Sequence, residues 1–417
     1  MINWRALPAI SSLRRRRSTA AALVFVATFT DILAYSIAVP VLPDLSARLG
    51  ASPTVIGLLF ASFGVTLLTV SIPMGAVSDR IGRRRPMVAG LVALAGSSVL
   101  FAFADELAWL FAARMVQGAA DAITWVVGLA LLADLYGPNE RGRVTGIVMS
   151  GTGLAFMLGP SIGGWLYELG GISLPFLVVA GLAVVVLAGF LWLVLPPPGA
   201  SRLSVSLHSA VSVPSIVLCI AAVVAASGTI CMLEPVLVLQ LEAIGINPGR
   251  VGSLFGIAAL ATSILNPLYG RLADRVGAWR LMMLGLMLAA VALPLLGRTS
   301  TFASAIVFYA LEAAAIALVI TPSLSFMAEA SSQNGGESFG LAYGLYNVGW
   351  GIGLLAGPAA GGFLFEQLGF ARLTLWWAPA LALTTAVLAR ACRKVRTRSP
   401  EREAQLNPQH RSSKPSL

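Results

Sequence analysis

Five charged residues stand inside long apolar runs of this chain: Asp31, Arg114, Asp121, Glu234 and Glu312. Placing a charge in hydrocarbon costs about 2.5–3.5 kcal/mol on insertion scales, so each is a candidate for binding or proton transfer. Asp31 has Tyr35 four positions on, along one helical face. A carboxylate beside an aromatic ring holds an organic cation by charge and by cation–π attraction. A carboxyl deprived of water also takes up protons more readily. The competing role for Asp31 is structural, as a partner for Arg114 or a capping acid. Asp121 with Trp125 repeats the acid-plus-aromatic spacing, and a structural bond to a neighbouring helix competes with cavity lining there. Glu234 precedes Pro235, which leaves the carbonyl four residues upstream without its usual donor. Unwound backbone of that kind is tolerated only against protein or a water-filled cavity. Glu234 is therefore expected to face a cavity, against the alternative of a solvated acid paired with Arg250. Arg114 is expected to pair with a carboxylate and change its proton affinity, with a purely structural ion pair as the rival. Glu312, three positions after Tyr309, is a further proton candidate. Tyr343, Asn347 and Trp350 share one helical face, with Tyr346 beside them. That face suits an aromatic wall for a bulky cation, although such stripes are more often packing.

The elements that carry these residues follow from composition. Of 417 residues, 57% are hydrophobic and 11% charged, with a mean hydropathy of +0.85. Soluble domains carry roughly 25% charged residues, so lipid is the solvent for most of this chain. A crossing helix needs about 20 apolar residues. Twelve such segments are predicted, at about 20–42, 54–77, 86–104, 107–133, 142–167, 172–195, 214–241, 250–273, 279–297, 302–328, 338–365 and 370–391. The runs are continuous rather than alternating, which excludes a β-barrel. The fold class is thus all-α and integral to the membrane. Pro196, Pro197 and Pro198 open a linker over 196–213, which separates six helices (20–195) from six more (214–391). Flanking them are a basic tail over 1–19 and another over 392–417, the latter read as disordered from Arg393 onward.

The bases set a topology. Arg14 to Arg17, Arg80, Arg83 to Arg85, Arg141, Arg143, Arg271, Arg275, Arg280 and the run after Arg390 fall on one side. Arg48, Arg250, Arg298 and Arg372 fall on the other. Both termini are therefore expected to be cytoplasmic. The net charge of +10 is spent on anchoring to an anionic leaflet, not on nucleic acid. Cys219, Cys231 and Cys392 show no metal or disulfide spacing, and His208 and His410 lie outside the segments, so no metal site is expected. No cleavable signal peptide is expected either. No G-x-x-x-x-G-K-[ST] loop is present, which leaves an ion gradient rather than ATP as the energy source. No cofactor and no nucleophile–base constellation is expected, hence no enzyme.

The chain also repeats itself. GAVSDRIGRRR at 75–85 matches GRLADRVGAWR at 270–280, and GPSIGGWLYELG at 159–170 matches GPAAGGFLFEQLG at 357–369. Two similarly oriented halves place a substrate site between them near the bilayer midplane.

At these residues the chain resembles the major facilitator superfamily, and within it the drug:proton antiporters. The loop signature G-x-x-x-D-R-x-G-R-[KR] is complete at Gly75, Asp79, Arg80, Gly82, Arg83 and Arg84. The fourth-segment signature R-x-x-Q-G is complete at Arg114, Gln117 and Gly118. The antiporter glycine ladder is present at Gly146, Gly159, Pro160, Gly163 and Gly164, with Ala155 where glycine is usual. DILAYSIAVPVLPDL at 31–45, MLEPVLVLQLE at 232–242 and ERGRVTGIVMSGTG at 140–153 resemble vesicular amine transporters and their bacterial relatives. Two features depart from the animal members. The loop after the first segment is short, and Ile320 or Thr321 and Asn347 stand where those proteins carry acids.

The resemblance implies a major facilitator fold of two pseudo-symmetric six-helix bundles. It also implies proton-coupled export of cationic or amphiphilic small molecules by alternating access, with Arg114 tied to proton coupling. A narrow-specificity metabolite or sugar exporter is the alternative. Asp79 and Arg80 are expected to pair with charges such as Asp134 or Arg141 and with a terminus of the eleventh helix, closing the cytoplasmic side. Asp274 and Arg275 offer the matching contact in the second half. A monomer in a bacterial inner membrane is expected, the organism inferred from Lys394 and Lys414 being the only lysines among 28 bases.

Overall fold

A computed structural model describes residues 7–192, 213–332 and 339–406. Among them are twelve helices and no strand. In chain order they are α1 (Leu7–Arg48), α2 (Pro53–Ile81), α3 (Arg84–Ala102), α4 (Leu107–Leu135), α5 (Pro138–Gly170) and α6 (Ser173–Trp192), then α7 (Pro214–Ala243), α8 (Pro248–Val276), α9 (Ala278–Leu296), α10 (Phe302–Ser332), α11 (Phe339–Leu368) and α12 (Phe370–Leu406). Each contains a stretch long and apolar enough to cross a bilayer. Only helices satisfy their own backbone bonds within one segment, which is why every apolar run takes this form. Large apolar side chains such as Val185, Ile264 and Leu383 are exposed on the outside of the bundle, where lipid covers them.

The local stop and start signals match the residues present. Ser52 caps α2 and Asn247 caps α8, each followed by a proline at the first helical position. Gly82 (φ 84°) ends α2 and Gly277 (φ 96°) ends α8, a conformation that disfavours other residues. Two ends differ from expectation. The first helix begins at Leu7 rather than near residue 20, and the last continues past Arg393 to Leu406 instead of giving way to a disordered tail. Arg, Leu, Glu, Gln and Ala are good helix formers, and a helix already nucleated in the membrane extends cheaply into water. The three prolines and the linker up to residue 212 lie outside the described residues.

An even number of crossings returns the chain to its starting side. We call that the terminal end of the bundle and the other the distal end. α2 packs on α11, and α5 on α8, so each half contributes two helices to the seam. At the distal end the seam is backbone against backbone. A Cβ built on Gly57 would stand 2.9 Å from Gly362 Cα, and one on Gly164 would stand 2.9 Å from Gly249 Cα. Small residues permit this approach. Toward the terminal end the glycines of α5 and α8 make no such approach: a Cβ on Gly142, Gly146 or Gly270 would meet nothing within 4 Å.

Candidate functional site

A cavity of about 290 Å³ lies between the halves. α1 and α5 supply Ser36, Phe156 and Pro160 from one side. α7, α8, α10 and α11 supply Glu234, Phe255, Tyr309 and Trp350, with a polar strip of Thr262, Ser263, Asn266 and Thr321. Thr321 donates to Asn266 Oδ1 at 2.8 Å. Glu234 is thus an acid on the cavity wall, and it is 3% exposed. It accepts a hydrogen bond from the Tyr35 hydroxyl at 2.5 Å, a bond that joins α1 to α7 across the seam. α7 runs unbroken through Pro235 rather than unwinding; the carbonyl the proline leaves without a donor is that of the buried Cys231, while its neighbour Ile230 lines the cavity. Arg250 does not reach Glu234; its guanidinium lies 6.0 Å from the Phe302 ring centre.

Arg114 is fully buried but has no ion pair among the described residues. The expected carboxylate partner is replaced by rings. Its Cζ lies 4.6 Å from the centre of Phe60, 5.0 Å from Tyr35 and 5.4 Å from Phe63. Its Nη1 donates to Gln117 at 2.6 Å, while Nε and Nη2 have no partner among the described residues. Each cation–π contact contributes about 0.5–2 kcal/mol. Three of them are of the same order as the insertion cost of about 3 kcal/mol, so an aromatic cage holds this cation without an acid. Arg114 and Glu234 therefore flank Tyr35, one at its ring and one at its hydroxyl.

Asp31 is buried and belongs to a different cluster. Its Oδ2 accepts from Thr124 at 2.6 Å, and its Oδ1 has no donor among the described residues. Asp121, half-buried on α4, lies close enough for its charge to act on Asp31, but no hydrogen bond joins the two carboxyls among the described residues. Neither acid is among the residues lining the cavity, nor is Trp125. Tyr35, expected beside Asp31, turns its hydroxyl to Glu234 instead. Glu312 is 1% exposed, and both of its carboxyl oxygens lack partners among the described residues. In the aromatic stripe of α11, Trp350 lines the cavity, Tyr346 and Asn347 are half-buried away from its wall, and the Tyr343 side chain lies outside the described residues.

At the terminal end the charges pair within one half. Arg83 bridges Asp79 at 2.6 Å and Asp134 at 2.8 Å, and donates to Ser78 at 2.6 Å. Burial works against the charge on Arg83, but the hydrogen bond and charge of Asp134, with those of Asp79, more than offset it and hold its proton above the ordinary arginine range. The expected pairing through Arg80 is thus made by Arg83, because the two-residue turn at Gly82 aims that side chain back under α2. Arg80, Asp274 and Arg275 are exposed and form no ion pair among the described residues. The side chains of Arg141 and of the first residues of α11 lie outside the description. Gly75 faces its own half near Val126. Gly159 packs against Ser36 of α1, and the Pro160 carbonyl meets Gly252 across the seam.

Thr262, Ser263 and Asn266 of the polar strip, and Thr124, were not singled out by sequence. The signal was present as hydroxyl and amide groups inside apolar segments, but such groups commonly bond their own helix, as Thr124 also does to Ala120.

Twelve spanning helices in two halves around a central cavity define a membrane transporter, not an enzyme. The sequence profile of the Major Facilitator Superfamily matches residues 24–229 and 216–416, and the chain belongs to that superfamily. It is similar to the human MFS-type transporter SLC18B1, 28% identical over 360 residues covering 82% of this chain and 78% of that one. It is also similar to the human chromaffin granule amine transporter, 31% identical over 327 residues covering 76% of this chain and 61% of that one. Among solved structures, a bacterial homologue of the human lysosomal transporter Spinster, in an inward-facing and occupied conformation, superposes with a TM-score of 0.75 at 15% identity, covering 90% of this chain and 97% of that one.

Proposed function

We propose that this protein is a proton-coupled antiporter that exports cationic or amphiphilic small molecules by alternating access. The termini face the cytoplasm of a bacterial cell, and the cavity opens there. The observation that carries this reading is the Tyr35–Glu234 bond, an ionisable group on the cavity wall that also ties the two halves together. A hydrogen bond to a charged acceptor contributes about 1.5–3 kcal/mol, against roughly 1 kcal/mol for a neutral one. An organic cation at Glu234 competes for the carboxylate and loosens the tie. A proton at Glu234 neutralises the acceptor and loosens it equally. The ionised, empty carrier keeps the strong bond and does not rock, so cation moves one way only if protons move the other. Arg114 senses the exchange through the ring of Tyr35. The Asp31–Asp121 pair adds a second protonatable group, since two neighbouring carboxylates in a dry site do not readily ionise together.

Reconstitution in liposomes under an imposed pH gradient tests this, with a panel of fluorescent amines and with Glu234→Gln and Asp31→Asn beside the unmodified protein. Gradient-driven uptake by the parent and its loss in Glu234→Gln is the expected result. Equal uptake by all three proteins would defeat the assignment. The alternative, a narrow exporter of a metabolite or sugar, draws support from the polar strip of Thr262, Ser263, Asn266 and Thr321. Saturable transport of a neutral polyol, with no competition from amines, would favour it.

A further inference from the structure

The seam at the distal end is closed by more than glycine contacts. Glu366, near the end of α11, reaches across to the start of α2. Its Oε2 accepts from the Ser52 hydroxyl at 2.7 Å and from the Thr54 amide at 2.9 Å. Glu168, near the end of α5, reaches across to the start of α8, where its Oε1 accepts from the Gly249 amide at 3.2 Å. A Cβ on Gly249 would lie 2.6 Å from that carboxyl, so the missing side chain is what admits it.

These two contacts are the same contact repeated. Glu168 and Glu366 occupy equal positions in the matched stretches 159–170 and 357–369. Thr54 and Gly249 both stand at the second position of their helices, after Ser52-Pro53 and Asn247-Pro248. The first amides of a helix have no intrahelical acceptor, and the helix dipole adds positive potential there. A carboxylate from the other half supplies what each helix start lacks, once on each side of the molecule.

From this we infer that Glu168 and Glu366 are positioning residues of the transport cycle, a symmetric pair of latches that hold the distal side shut while the terminal side is open. Each latch joins the two halves, so both must release before the distal side opens. The inference depends on alternating access and not on the nature of the substrate or the use of protons.

Access to the cavity tests it without substrate or gradient. The full chain carries Ser263→Cys in the cavity, with Cys219, Cys231 and Cys392 replaced by alanine. Impermeant thiol reagent is applied to one face of oriented proteoliposomes and then to the other. Glu168→Gln and Glu366→Gln are expected to speed labelling from the distal face by about threefold each and by about tenfold together, the loss of a charged acceptor at each latch. Labelling from the terminal face should fall by the share of population that the distal-open state gains, because one conformational equilibrium governs both. A merely structural role would not produce this reciprocity. Glu168→Ala with Glu366→Ala removes the acceptor as well and should act more strongly. Distal labelling within twofold of the parent in the paired variants would overturn the inference. Should a paired variant not fold, the single glutamine variants decide the matter by the same criterion.

Discussion

Glu234 and the Asp31–Asp121 pair are both buried acid sites, but they touch different things. Glu234 is on the cavity wall and bonded across the seam. Asp31 and Asp121 lie within one half, held by Thr124 of α4, and line no part of the cavity. Depth in the membrane is therefore a poor guide to what an acid meets; the rotation of its helix decides. A cation inside the cavity encounters one of these sites directly. Competition between guest and proton for a single carboxyl belongs to Glu234, while the pair can hold a proton that no substrate displaces.

The sharpest break of this contrast is to neutralise each site separately and read binding apart from coupling. Trp350 lines the cavity, so quenching of its fluorescence, referenced to Trp350→Phe, reports binding. Glu234→Gln is expected to weaken amine binding by at least about tenfold, the loss of one desolvated ionic contact. Asp121→Asn is expected to leave binding within about threefold and to lower the protons moved per substrate in liposomes. The reverse pattern would show that the substrate reaches the pair. At Arg114 the expected effect is on stability. Arg114→Lys keeps the charge but loses the planar face that stacks on Phe60, Tyr35 and Phe63. A loss of about 2 kcal/mol, read as a lower unfolding temperature in detergent, should accompany it. An unchanged unfolding temperature would mean that the rings contribute little.

The extent to which these sites were legible in sequence follows from the physics of each signal. The second helix is predicted over 54–77 and observed over Pro53–Ile81, because an apolar run in lipid has only one backbone solution. The misjudged ends, at Leu7 and Leu406, are where water replaces lipid and hydropathy stops being informative. Asp31, Arg114, Glu234 and Glu312 announced their burial by being charged within such runs. What they touch was not legible. Tyr35 lies one turn from Asp31 in sequence, yet its hydroxyl goes to a residue 199 positions away. Glu168 and Glu366 sat inside stretches whose glycines drew attention first, and their carboxylates acquire meaning only when the helix starts of the opposite half come into view.

The smallest expected effects test the edges of the comparison. Thr124 is the donor to Asp31, and Thr124→Val removes it at a cost of about 1–2 kcal/mol. If Asp31 and Asp121 hold a proton between them, losing that donor should shift the pH dependence of transport while leaving amine affinity within about twofold. Thr321→Val acts on the other side, in the cavity, where it breaks the 2.8 Å bond to Asn266 and frees that amide. Amines that depend on Glu234 should bind within about twofold of the parent, since the bond lost is neutral, contributes roughly 1 kcal/mol and does not involve Glu234. Ligands with hydroxyl groups should change more, because the strip then offers one acceptor unpaired. A large loss of simple amines in Thr321→Val, read by the same Trp350 quenching, would mean that the strip and not the acid anchors the guest. The division of labour between Glu234 and the pair would then have to be redrawn around Asn266.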